Sequence, residues 1–232
     1  VGTLSGPNDY DYYAITTGSS GTLKVNILTD PSNTDTYRYS VLDDQGNTLV
    51  SGYCRRACDS TDESFSIGLK SAGTFYVRIR AKYSSGGFPS GTYTMTATFS
   101  SGPASGVETE PNDESAQMLV LGEDVVGSLW SADDNDYYKV TTDSTGILTV
   151  NFQTDVSNSD GYVIYLLNED GDIFGREICD RSCVDSPTKL KAAIGIPGTY
   201  FVYVRSESYY YTPEGTYTLT ATFAPGDISG LE

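Results

Sequence analysis

The sequence predicts an all-β protein made of two tandem antiparallel β-sandwich domains, and three observations predict it. First, the chain repeats itself. Val1-Gly2-Thr3-Leu4 aligns with Val126-Gly127-Ser128-Leu129, Asp11-Tyr12-Tyr13 with Asp136-Tyr137-Tyr138, and Cys54 and Cys58 with Cys179 and Cys183, each 125 positions apart. The shift is 124 for Gly91-Thr92-Tyr93-Thr94 against Gly215-Thr216-Tyr217-Thr218, so one loop residue has been lost. Such a period far exceeds solenoid repeats and matches an independent domain. Second, apolar residues alternate with polar ones at period two. Third, the alternating runs are punctuated by Gly, Asp, Asn and Ser, with no amphipathic helical pattern between them.

The elements follow in order. Leu23-Lys24-Val25-Asn26-Ile27 alternates, as does its copy Gly146 to Gln153, which puts Leu148, Val150 and Phe152 on one face. Tyr162 to Leu167 is a denser apolar run, as a central strand requires. Asp43-Asp44-Gln45-Gly46-Asn47 and Glu169-Asp170-Gly171-Asp172 have the chemistry of hairpin turns. Thr74 to Arg80 with Thr199 to Arg205, and Thr92 to Phe99 with Thr216 to Phe223, supply the last two strands of each unit. Seven or eight short strands per unit read as a sandwich. The expected boundaries are residues 1–100 for the first domain, a small-residue linker at 101–107, a second domain at 108–224 and a tail at 225–232.

Composition narrows the function. With 31 acidic against 14 basic residues the formal net charge is −17, which repels nucleic acid and anionic membrane surfaces and attracts cations. The same acidity also fits adaptation to salty surroundings. No apolar run is long enough to cross a bilayer. The chain starts at Val1 without Met and reads as a mature fragment or an excised piece. It has no histidine, which removes Ser-His-Asp and Cys-His nucleophile activation and the imidazole-dependent zinc sets. The acids cluster in turns beside Gly and Asn rather than on strand faces. The chain therefore reads as non-catalytic.

Cys54 and Cys58, like Cys179 and Cys183, are four residues apart. On an extended strand that separation is roughly 13 Å, so a bridge demands a tight turn. Because both copies keep the spacing, one short disulfide loop within each domain is expected, and with it an oxidising, extracellular location. A redox pair has a different spacing, and an all-cysteine zinc site would need both domains to meet; these readings stay open.

Glu108-Thr109-Glu110-Pro111-Asn112-Asp113, followed by Asp136-Tyr137-Tyr138, Gly198-Thr199-Tyr200-Phe201 and Gly215-Thr216-Tyr217-Thr218, resembles the bacterial pre-peptidase C-terminal domain in two copies. That resemblance implies a jelly-roll-like sandwich with accessory, non-catalytic work beside a secreted protease or glycosidase. Attachment to an insoluble polymer, or a calcium-stiffened structural or secretion role, would both fit. The branch that binds collagen holds calcium in the matching acidic positions, which are Glu108, Glu110, Asn112, Asp113, Asp133 and Asp136 here. Their hard oxygens suit Ca²⁺. The same residues also read as an acidic linker followed by an ordinary Asp/Asn turn. The first copy lacks the acidic segment and keeps only Asn8 and Asp11, too few for a good site.

Aromatics in polar loops, Tyr209, Tyr210 and Tyr211 with Tyr83 and Phe88 in the equivalent region of the first unit, are candidates for contact with an insoluble polysaccharide or fibrous protein. They also suit packing within the protein. Collagen specificity does not transfer, because Arg80 and Arg205, then Lys82 and Glu207, stand where the collagen-binding relatives carry tyrosines. A monomer is expected.

Overall fold

The computed structural model describes residues 1–33, 35–55, 58, 64–82, 87–113, 115–155, 160–180, 183, 186–209, 212–213 and 215–228. Among them there is no helix, and the chain forms two compact units. The first contains β1 (Tyr10–Thr17), β2 (Gly21–Thr29), β3 (Thr36–Leu42), β4 (Thr48–Arg55), β5 (Ser64–Leu69), β6 (Gly73–Ala81) and β7 (Tyr93–Ser101). A two-residue strand, β8 (Thr109–Glu110), adds parallel to β5. The sheets run β1-β6-β3-β4 and β7-β2-β5-β8.

The second unit holds β9 (Gln117–Met118), β10 (Asp124–Gly127), β11 (Asn135–Thr142), β12 (Gly146–Thr154), β13 (Tyr162–Leu167), β14 (Ile173–Cys179), β15 (Thr188–Ile194), β16 (Gly198–Ser206) and β17 (Tyr217–Pro225). Its sheets run β14-β13-β16-β11-β9 and β10-β17-β12-β15. Strand for strand this is the order of the first unit, with the short β9 and β10 added and, among the described residues, no counterpart of β8. Even the irregularities repeat. The β3–β4 ladder shifts register between Val41 and Leu42, and β13–β14 between Leu166 and Leu167.

Alternation builds each core. In β12, Leu148, Val150 and Phe152 are buried while Ile147, Thr149 and Asn151 are half-buried, which is the one-sided pattern read from the sequence. They meet Val140 of β11, Ile164 and Leu166 of β13 and Val202 and Val204 of β16 from the opposite sheet. Each such side chain contributes roughly 1.5–3 kcal/mol when buried. Phe152, Tyr162 and Tyr217 pack ring on ring, with centroids 5.0 to 5.7 Å apart. In the first unit Ile27 stands for Phe152, and the edge-on pair Tyr37–Tyr93 remains at 5.6 Å. The hairpin turns carry their glycines at positive φ, 86° at Gly46 and 84° at Gly171, a conformation costly for any residue with a Cβ.

Candidate metal centre and its supports

Alternation along β11 turns Asp136 inward together with Tyr138 and Val140, so a carboxylate enters the protein with no exposure at all. Burying a charge is costly unless hydrogen bonds or a counter-ion compensate it. The Tyr217 hydroxyl, at the start of β17, donates to Asp136 Oδ2 at 2.5 Å. It also lies 2.6 Å from the Tyr138 hydroxyl. Tyr217 has one proton, already given to Asp136, so Tyr138 donates to Tyr217 and the chain of bonds points at the carboxylate. The two hydroxyls meet over Gly127 of β10, where a Cβ would come within 2.5 Å of the Tyr217 hydroxyl. Only glycine leaves them that space.

The first unit repeats this arrangement. Tyr93 donates to Asp11, the Tyr13 hydroxyl lies 2.7 Å from that of Tyr93, and Gly2 sits beneath both. Burial, then the bond to Asp11, pushes the Tyr93 phenol well above its ordinary value. Asp11 is half-buried where Asp136 is fully buried. The turn before the strand repeats too: Asp134 Oδ2 accepts from Trp130 N at 2.6 Å, and Asp9 Oδ2 accepts from Ser5 N at 2.7 Å.

The acidic segment obeys the parity of an extended chain. Glu108, Glu110 and Asn112 are buried, whereas Pro111 and Asp113 are exposed. Thr109 and Glu110 pair with Gly68 and Leu69, and Gly68 N donates to the Glu108 carbonyl at 2.7 Å. A Cβ on Gly68 would come within 2.5 Å of Thr109 Oγ1. One carboxylate oxygen each from Glu108, Glu110 and Asp136 lies within 4.8 Å of the others, the one such group among the described residues. Two carboxylates at that separation repel by about 3 kcal/mol at an effective dielectric constant of about 20. A buried, all-oxygen cluster of this kind suits a hard cation.

Of the other ligands expected from the sequence, Asn112 is wholly buried, whereas Asp113 and Asp133 are exposed and outside the group of three. Asp113 Oδ1 accepts from Asn135 N at 3.1 Å. The Asp133 carbonyl accepts from Asn135 Nδ2 at 2.7 Å. Asn8 is exposed. The supports Gly127, Tyr138 and Tyr217 did not stand out as site residues. Their signal was the repeat itself, which keeps Gly, Asp, Tyr and Tyr at matched positions in both units.

The cysteines form the disulfides Cys54–Cys58 and Cys179–Cys183, with Cα atoms 5.7 and 5.8 Å apart. Each loop is pinned to the end of a core strand. Cys58 N donates to Thr29 Oγ1 at 2.8 Å, and Cys183 N to Thr154 Oγ1 at 3.1 Å. Of the loop aromatics, Tyr209 is 75% exposed, while Phe88 is half-buried and packs against the first unit's core. Tyr83, Tyr210 and Tyr211 lie outside the described residues.

No family model matches the chain, and no curated protein matches it. Among solved structures it is similar to the pre-peptidase C-terminal domain of a Bacillus anthracis collagenase, at 19% identity and a TM-score of 0.37, over 49% of this chain and 98% of that one. It is also similar to a periplasmic inhibitor of g-type lysozyme from Aeromonas hydrophila, at 12% identity and a TM-score of 0.34, over 47% and 100% of the two chains. A third is the M60 catalytic domain with two CBM51 domains of Clostridium perfringens ZmpB, at 10% identity and a TM-score of 0.31, over 93% and 33%. Similarity at this level assigns no activity to the chain.

Proposed function

We propose that this chain is a non-catalytic accessory region of a secreted bacterial hydrolase, of the pre-peptidase C-terminal type, which binds calcium and anchors its enzyme to an insoluble polymer. The observation that carries the reading is the buried group of Glu108, Glu110 and Asp136 carboxylates. Calcium takes six to eight oxygen ligands. In this reading the three carboxylates and the Asn112 amide form its inner set, and Asp113 and Asp133 complete it. The Tyr138–Tyr217 hydroxyl pair fixes the orientation of Asp136, so that it need not be ordered when the ion binds.

Two disulfides within units support an oxidising compartment outside the cytoplasm. Among the described residues no helix is long and apolar enough to cross a membrane. The absence of histidine and the placement of most of the described acids outside the strands support an accessory rather than a catalytic role. For attachment, exposed Tyr209 offers a ring to a polymer surface, with Tyr210, Tyr211 and Tyr83 as its companions in this reading; Phe88 serves as packing. Retention of the chain on chitin, cellulose, agarose or collagen, with and without chelator, tests the anchoring. Binding to at least one polymer is expected, and weaker binding after chelation. Flow-through from all four, and from charged polysaccharides as well, with calcium present, would refute it.

A further inference from the structure

The outer face of the β1-β6-β3-β4 sheet departs from the charge of the whole chain. Its four strands hold one carboxylate, Asp11, and that one faces inward to Tyr93. The outward positions instead carry Arg38 on β3, Arg78 and Arg80 on β6, Tyr10 and Tyr12 on β1, and Tyr53 on β4. The strand registers align them. Tyr10 lies opposite Arg80, Arg80 opposite Arg38, and Arg38 opposite Tyr53, so one row crosses all four strands. Tyr12 and Arg78 begin the next row.

Strands are about 4.8 Å apart, so the guanidiniums crowd one another. Burial, and then the neighbouring Arg38, push the Arg80 guanidinium below its ordinary value. The Arg38 guanidinium lies over the Tyr53 ring at 5.6 Å, and the Lys82 ammonium at 4.3 Å. The Nε atoms of Arg38 and Arg78 are buried and meet no acceptor among the described residues. In a protein with 31 acids and 14 bases, a sheet face that concentrates cations and excludes carboxylates is poised for an anion.

We propose that this face of the first unit binds an anionic polysaccharide, bearing sulfate or carboxylate groups, laid flat across the strands. The proposal rests on the anchoring reading above and names the class of polymer. Guanidinium forks match the oxygens of sulfate and carboxylate. Tyr10 and Tyr12, 46% and 56% exposed, offer rings to sugar faces. An acidic peptide is the poorer fit. Its backbone groups would meet no partners on a sheet face whose own backbone is already paired, and peptides that use sheets add at an edge. The overall charge of −17 does not forbid the contact, because charges beyond a Debye length of about 8 Å are screened at physiological salt.

Binding of the full chain to dextran sulfate, alginate, uncharged dextran and poly-glutamate tests the proposal. Dextran sulfate or alginate should bind, their relative affinity deciding between sulfate and carboxylate, and binding should weaken steadily with added salt. Arg78→Gln/Arg80→Gln should weaken it on the order of tenfold or more while the melting temperature holds. If that pair melts early, Arg80→Gln alone is decisive. Tyr10→Ala/Tyr12→Ala should weaken polysaccharide binding and leave poly-glutamate unaffected. Equal binding of dextran, binding indifferent to the arginine variants, or poly-glutamate binding as tightly as the polysaccharides would overturn it. Retention on chitin or cellulose alone, unaffected by the arginine variants, would sink this proposal and leave the anchoring reading standing. Failure on every polymer would sink both.

Discussion

Replacing Tyr217 by Phe removes one oxygen from the most consequential hydrogen-bond chain in the protein. The hydroxyl donates to Asp136 Oδ2 and accepts from Tyr138, and all three residues are fully buried. A hydrogen bond to a charged group is worth about 1.5–3 kcal/mol net, and Tyr138 also loses its Tyr217 acceptor. The variant should therefore lose about 2–4 kcal/mol. For a unit of this size that lowers the melting temperature by about 8–16 °C. Tyr93→Phe is the internal control, because it deletes the same oxygen over Asp11, which is half-buried and better solvated. Its cost should be smaller, about 1–2 kcal/mol. Calorimetric unfolding of both variants measures the difference, and hydrogen exchange along β11 and β17 assigns it to the second unit. A Tyr217→Phe cost below about 1 kcal/mol, or one no larger than that of Tyr93→Phe, would refute the reasoning that burial sets the value of this bond.

The disulfide loops should depend on their threonine anchors. Thr154→Val deprives the buried Cys183 N–H of its acceptor at a cost of about 1–3 kcal/mol, and should speed reduction of Cys179–Cys183 by dithiothreitol, followed by peptide mapping, while leaving Cys54–Cys58 unchanged. Alkaline stability should also carry a signature. Burial, and then Tyr137, push the Tyr203 phenol up to about 12, and Tyr93 is raised as well. A raised phenol favours the folded state below its unfolded value of about 10, and that contribution is lost as pH rises through the folded value. Ultraviolet titration should find late-ionising tyrosines that release together with unfolding above about pH 10; complete ionisation at ordinary phenol values in folded protein would contradict this.

What was legible in the sequence was what strand parity encodes. Leu148, Val150 and Phe152 alternate in the sequence and are buried, and Glu108, Glu110 and Asn112 are buried by the same alternation, although their place in the sequence groups them with exposed Asp113. The same rule explains why Asp113, next to Asn112, is exposed, whereas Asp133 is exposed because it lies in the turn before β11. Contacts across long separations stayed hidden. Tyr217 is 81 residues from Asp136, and Thr154 is 29 from Cys183, so no local pattern could join them. The cationic sheet face was hidden for a different reason: Arg38, Arg78 and Arg80 become neighbours only through the β3–β6 register, and the net charge of the chain points the other way.

Titration of the calcium-free chain with Ca²⁺ in a calorimeter, beside a Glu110→Gln/Asp136→Asn variant, tests the central claim most directly. The account predicts saturable uptake by the wild type at about 10–100 μM, within the range of sensor to extracellular sites, and none by the variant. Millimolar calcium should then add about 1.5–3 kcal/mol to wild-type stability, read as a higher melting temperature that EDTA reverses. No uptake by the wild type, together with a melting temperature indifferent to EDTA, would contradict it.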